Sequence, residues 1–164
     1  MSVVMADELD DLDRGILQEL LADGRTPVAQ IAERVGLSRP AVAERIEKLE
    51  RAGVIRGVTP VIDPRALGQT LTAFIAARRS GQLDGKATKA FRLLAGRSEI
   101  VEVHSVAGDD CYLIKVRTDS IQSLNALVAS MTHEPLRFST RTTIVLETHC
   151  EKVGGVTLTG GDLS

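Results

Sequence analysis

Leu9, Leu12, Ile16 and Leu20 recur at three- and four-residue spacing with charged residues between them, the pattern of an amphipathic helix that ends at Asp23-Gly24. Thr26 can accept a backbone N–H bond at a helix start and Pro27 suits a first helical position. A short second helix is therefore predicted through Val28, Ile31, Ala32 and Val35. Gly36 then supplies a left-handed turn. Leu37 tucks inward, Ser38 caps a third helix, Pro40 falls in its tolerated first turn, and Val42, Ile46 and Leu49 form one apolar stripe that Gly53 closes. Three helices with a tight glycine turn between the second and third make a helix-turn-helix unit, whose third helix turns its other face outward.

After Gly53 the period changes. Val54-Ile55 and Val58 to Ile62 read as extended segments, and Asp63-Pro64 with Gly68 marks a turn that serves as a hinge. From Thr70 the pattern gives a strand (Leu71 to Ala77), a helix (Lys86 to Gly96), two strands (Ile100 to Val106 and Tyr112 to Arg117), a helix (Ile121 to Met131) and a last strand (Phe138 to Glu147). The order βαββαβ is ferredoxin-like, with an antiparallel sheet whose helices lie on one face and leave the other for a partner, a second copy of the chain. The fold class expected is thus α+β. The domains expected are residues 1–64, with the hinge, and 65–152, followed by a flexible Gly- and Thr-rich tail at 153–164.

Composition narrows the function classes. The 164 residues carry a net charge of -2, which by itself argues against a nucleic-acid binder. The charge is unevenly placed, however. Seven carboxylates face a single arginine before Gly24, whereas Arg39, Arg45, Lys48, Arg51 and Arg56 lie close together. No apolar run approaches the ~20 residues that span a bilayer, and the N-terminus turns acidic at once without a basic start, so a cytoplasmic protein off the membrane is expected. Cys111 and Cys150 stand far apart outside any Cys-x-x-Cys pair, which fits free thiols in a reducing compartment.

A recognition helix reads base edges with residues near its N-terminus and touches phosphates with cations alongside. Ser38, Arg39, Pro40, Ala41, Glu44, Arg45 and Lys48 are the candidates on the third helix, with Thr26 beside the preceding turn. Arg39 and Arg45 stand first, because a guanidinium can pair with a guanine edge or a phosphate, while Glu44 can accept from cytosine. The bland alternative is a solvated face laced with i,i+4 ion pairs, on a helical domain that docks another protein instead of DNA. Steep weakening by salt marks the DNA reading.

The run Leu12-Asp13-Arg14, Ile16-Leu17, Leu20, Asp23-Gly24-Arg25, Ile31-Ala32, Val35-Gly36-Leu37-Ser38, Val42, Arg45-Ile46, Leu49, Gly53-Val54-Ile55-Arg56-Gly57 resembles the N-terminal domain of Lrp/AsnC (leucine-responsive, or feast/famine) transcription regulators. The βαββαβ half looks like that family's effector domain, so the resemblance covers roughly residues 8 to 150. It implies a winged helix-turn-helix regulator that binds double-stranded DNA as a homodimer, with dimers assembling into tetramers of dimers. It also implies an amino-acid effector and no cofactor, metal or catalysis. In such proteins a Gly-x-x-Asp-Tyr turn between the second and third strands lines the effector site. Here the matching residues are Gly108, Asp109, Asp110, Cys111 and Tyr112, with Cys111 where the usual Asp stands. Asp109 or Asp110 is then the substitute for that carboxylate, and His104, Thr140 and Thr142 match other pocket-facing positions. The same Gly-Asp-Asp chemistry also suits an ordinary hairpin turn.

Other signals lead nowhere. The stretch Gly81 to Thr88 has the wrong glycine spacing for a phosphate loop, and Ala87 follows Lys86 where Ser or Thr must stand. The three histidines and two cysteines lack metal-ligand spacing, and nothing forms a nucleophile motif. An RNA-recognition sheet needs stacking aromatics on its central strands, and the third strand here offers Tyr112 alone.

Overall fold

The computed structural model describes residues 9–79, 81 and 84–152, so the tail expected at 153–164 lies outside the described residues. The chain divides into two compact units, the first running to Val61 and the second spanning Ile62–Glu151.

In the first unit α1 (Asp11–Ala22), α2 (Val28–Val35) and α3 (Arg39–Arg51) pack around Ile16, Ile31, Ala32 and Val42. Burying Ile16, Ile31 and Val42 contributes about 1.5–3 kcal/mol each, and the Leu20, Val28, Val35, Leu37 and Ile46 shell adds to it. Asp10 caps α1, its carboxylate accepting the N–H of Asp13 at 2.7 Å. Gly36 sits at φ 71°, which lets Leu37 N–H return to the Ala32 carbonyl and delivers Ser38 to the start of α3. There the Ser38 hydroxyl accepts the Ala41 N–H at 3.4 Å.

One start signal is corrected. Thr26 is not the cap of α2: its hydroxyl donates to the Asp23 carbonyl at 2.8 Å, and Pro27 occupies the cap position in an extended conformation. Proline has no N–H to offer the turn but a carbonyl to give, and Gln30 and Ile31 both donate to it. The helix therefore begins one residue later than the pattern suggested. Beyond α3, residues 54–63 pair with no strand among the described residues, and Val58, Val61 and Ile62 are exposed. Val58 packs against Gly24, where a β-carbon would sit 2.9 Å from its methyl group.

The second unit opens on a 3-10 turn, Pro64–Leu67, capped by Asp63. Then come β1 (Leu71–Arg78), α4 (Gly85–Ala95), β2 (Ile100–Ser105), β3 (Tyr112–Thr118), α5 (Ile121–Thr132) and β4 (Ser139–Ile144). The sheet order is β2-β3-β1-β4 with every pair antiparallel, the ferredoxin-like arrangement. Period-two alternation sends Ala73, Ile75, Ala77, Ile114 and Val116 to one face, where they meet Leu94 of α4 and Leu124, Leu127 and Met131 of α5. Phe91, Tyr112 and Phe138 form an aromatic cluster on this covered side, with Phe91 and Tyr112 ring centres 4.5 Å apart.

The other face presents Thr72, Phe74 and Ala76 beside Leu113, Lys115 and Arg117, and Phe74 and Leu113 are each 38% exposed. β4 stops at Ile144, three residues short of the end expected at Glu147. Val145 makes one more bond to Thr72, and then Glu151 comes back to bond Lys115 and Arg117 on the open face. With Ala73 opposite Ile144 and β1 starting at Leu71, two further residues exhaust the partner strand.

Candidate DNA-reading helix and effector domain

α3 buries Val42 and Leu49 and leaves Ser38, Arg39, Pro40, Glu44 and Lys48 exposed, with Ala41 half-buried behind the cap. Arg51 pairs with Glu47 one turn back at 3.4 Å, whereas Arg39 and Lys48 have no carboxylate within 4 Å among the described residues. The first turn of α3, Ser38 to Pro40, is thus a free N-terminal edge carrying one arginine, the arrangement a groove reader needs.

Arg45 does not join that edge. Its Nη1 lies 2.7 Å from Asp10 Oδ2 and 2.7 Å from Asp13 Oδ1, and its side chain is only 28% exposed. The capping N–H of Asp13 and then the Arg45 bond hold the Asp10 carboxyl below its ordinary value, and the Asp10 and Asp13 bonds raise Arg45 further. The structure thus brings Arg45 to the two carboxylates of α1 and leaves Arg39 exposed. Asp13, 4% exposed, is the residue that sequence reasoning missed. Its signal was present: it stands three residues before Ile16, an acid on the apolar stripe of α1. Thr26 is half-buried with its hydroxyl spent on the turn.

The effector candidates fall into two sets. In the β2–β3 turn Gly108 has φ 134°, a conformation that favours glycine, and Asp109 is exposed. Asp110 accepts from Arg141 at 3.1 Å. Cys111 donates its N–H to Ala77 and its thiol to the Arg79 carbonyl at 3.7 Å, pinning the turn to β1. His104 lies opposite Leu113, on the open face, beside Glu102 at 3.2 Å. Thr140 and Thr142 lie opposite the buried Ala77 and Ile75, on the covered face. Within one chain the sheet therefore separates His104 from the two threonines. A cavity of about 440 Å³ that sequence reasoning did not foresee lies on the open side, lined by Thr72, Phe74, Lys115, Arg117, Val145 and Glu151.

Tyr112 points into the aromatic cluster, so the central strands offer the open face one aromatic, Phe74, and no stacking platform. No group of three or more His, Cys, Asp or Glu side chains suited to a metal gathers among the described residues. No helix among them is long and apolar enough to cross a membrane.

A helix-turn-helix followed by a ferredoxin-like domain defines a class, the ligand-responsive DNA-binding regulators, and comparison with known proteins narrows it. Residues 9–56 match the winged helix-turn-helix DNA-binding family and residues 72–154 the Lrp/AsnC ligand binding domain. An HTH-type transcriptional regulator of Pyrococcus horikoshii is 38% identical over 143 residues, 87% of this chain and 93% of that one. The regulator LrpA of Mycobacterium tuberculosis is 37% identical over 145 residues, 88% and 94% of the two chains. A feast or famine regulatory protein from M. tuberculosis, solved in complex with L-methionine, superposes with a TM-score of 0.77 at 35% identity, covering 88% of this chain and 97% of that one. The chain belongs to the Lrp/AsnC family of transcriptional regulators.

Proposed function

We propose that this regulator binds double-stranded DNA as a homodimer and that an amino acid bound by its second domain sets its DNA occupancy. The observation that carries the DNA half is the uncovered first turn of α3, where Arg39 and Pro40 are exposed and Ser38 is held as the cap. Arg39 and Lys48 supply contacts to phosphates and base edges, Glu44 reads from the second turn, and Ser38, Pro40 and Ala41 set how closely the backbone approaches. Two such helices span successive major-groove half-sites about 34 to 36 Å apart, or multiples of that distance, on an operator with dyad symmetry. Residues 1–64 form the DNA-binding part with its hinge, and 65–152 the sensing and assembly part.

The second copy sits on the open face of the sheet, whose exposed Phe74 and Leu113 give it an apolar centre. Dimers associate further into a tetramer of dimers, and an effector bound between them shifts assembly by its differential affinity for the two states. The L-methionine complex of the mycobacterial relative supports an amino acid as that effector, with Gly108, Asp109, Asp110, Cys111, His104, Thr140 and Thr142 contributed by more than one chain. Such pooling across copies reconciles the opposite faces that His104 and the threonines occupy. The protein works in the cytoplasm, as a regulator and not as an enzyme, and uses no cofactor.

The test is a binding titration with duplexes enriched from a random-sequence pool by the wild-type protein, repeated across salt. Specific binding that weakens steeply with salt supports the reading, because each phosphate neutralised contributes a slope of about -0.9. Enrichment of no sequence would sink it.

A further inference from the structure

We infer that Arg45 is a positioning residue, which fixes α3 against α1 through Asp10 and Asp13 and makes no contact with DNA. The inference rests on the DNA reading above and says how its reading helix is held. One guanidinium nitrogen serves both carboxylates at 2.7 Å. Asp10 is at the same time the cap of α1, so a single cluster joins the first turn of α1 to the middle of α3.

Arg45 follows the buried Val42 by three residues and precedes the buried Leu49 by four, on the flank of the packed stripe. Asp13 is buried beside it. Swinging Arg45 out to a phosphate would strip a buried carboxylate of its cation, and leaving a buried charge uncompensated costs far more than one phosphate contact returns. The competition is therefore decided in favour of the protein. The planar fork of arginine suits the task, since it presents hydrogen-bond donors to two carboxylates while the side chain stays fixed. Arg39 is then the arginine left to read, with Lys48 alongside.

Melting curves and DNA titrations together test this, using as probe the duplex enriched by the wild-type protein. Arg45→Met is expected to lower the melting temperature and weaken binding about tenfold, because Asp13 is stranded. The double variant Asp13→Leu/Arg45→Met replaces the pair by apolar side chains and is expected to recover melting, to bind within about threefold of wild type, and to keep the wild-type salt slope. Arg39→Met should do the opposite, melting normally while the slope becomes shallower by about 0.9. A double variant that melts like wild type yet keeps the binding deficit, with a slope shallower by that amount, would show that Arg45 touches DNA and would overturn the inference.

Asp10→Asn guards against failure of the double variant to fold, since asparagine is an equally good cap but unties one carboxylate from Arg45. Weaker binding supports the clamp. Unchanged or tighter binding, as expected of an arginine set free to reach a phosphate, overturns it. If the wild-type protein enriches no duplex, the DNA reading itself falls, and the melting arms still report on the clamp: equal melting of Arg45→Met and wild type would refute it.

Discussion

Glu151 Oε2 lies 2.6 Å from Nη2 of Arg117, and the other oxygen of the same carboxylate meets Lys115. The chain that leaves β4 is thereby tied back over the open face of the sheet, across strands β1 and β3. Both cations are largely sheltered, with side chains 13% and 19% exposed, so the tie is less screened than a pair standing free in solvent.

Glu151→Gln is expected to loosen this strap and lower stability at neutral pH by up to ~1 kcal/mol, the scale of partly exposed pairs. Lys115 first, and Arg117 beside it, hold the Glu151 carboxyl below its ordinary value of 4.5. A depressed folded-state pKa contributes stability above the unfolded value and loses it as pH falls through the folded one. The deficit of the variant should therefore be present at pH 7, shrink below about pH 4.5 and vanish in stronger acid. Thermal melts of the two proteins across that range read this directly, and a deficit that stays constant with pH would contradict it.

Ser38→Ala should cost about 1 kcal/mol by removing the acceptor for the Ala41 N–H, whereas Ser38→Gly should cost only a few tenths. Denaturant midpoints distinguish the two. The cap also orients the turn that carries Arg39, so the alanine variant should lose DNA affinity together with stability.

Much of this architecture was legible in the residues alone, and the reasons are local. Gly36, Ser38 and Gly53 each act within one turn of chain, and the alternation at 73–77 and 114–116 needs no knowledge of distant neighbours. What escaped was decided by contacts far apart in sequence. Arg45 looked like a solvent-facing cation because the carboxylate that claims it lies 32 positions earlier. β4 looked longer than it is because its end is set by where its partner β1 begins, at Leu71, far earlier in the chain. His104 and Thr142 matched one pocket as a pattern, yet strand register sets them on opposite faces, which no single-chain motif reveals. Thr26 failed as a cap for a nearer reason, since both Thr26 and Pro27 fit a helix start and the carbonyl of Asp23 took the hydroxyl.

The open sheet face offers a test of assembly. Phe74 stands directly opposite Lys115 on one neighbouring strand and Thr143 on the other. Phe74→Lys would remove a partly exposed aromatic from the proposed interface and set a cation directly opposite Lys115, which disfavours an apolar partner on this face. Sedimentation should show the variant shifted towards monomer while circular dichroism remains native. Operator affinity should fall with it, since a monomer forfeits the second half-site and the effective concentration that linking two helices provides.

Cys111 gives the last test, because the family resemblance leads one to expect an Asp at that position. Its thiol donates to the Arg79 carbonyl, so the side chain is turned towards β1. Cys111→Asp would bring a carboxylate against that carbonyl oxygen, losing a donor and adding repulsion, and the unliganded variant should be less stable by about 1–3 kcal/mol. The same carboxylate would be a partner for the ammonium group of an amino acid, which has only the Arg141-bound Asp110 and the exposed Asp109 to meet in the wild-type turn. Ligand that binds the native state alone stabilises it by an amount that grows with the logarithm of one plus its concentration divided by its Kd, and the melting temperature rises with it. A titration with L-methionine should therefore stabilise Cys111→Asp more steeply than wild type, despite its lower starting point. Equal shifts in both proteins would mean that this turn position does not grip the amino group.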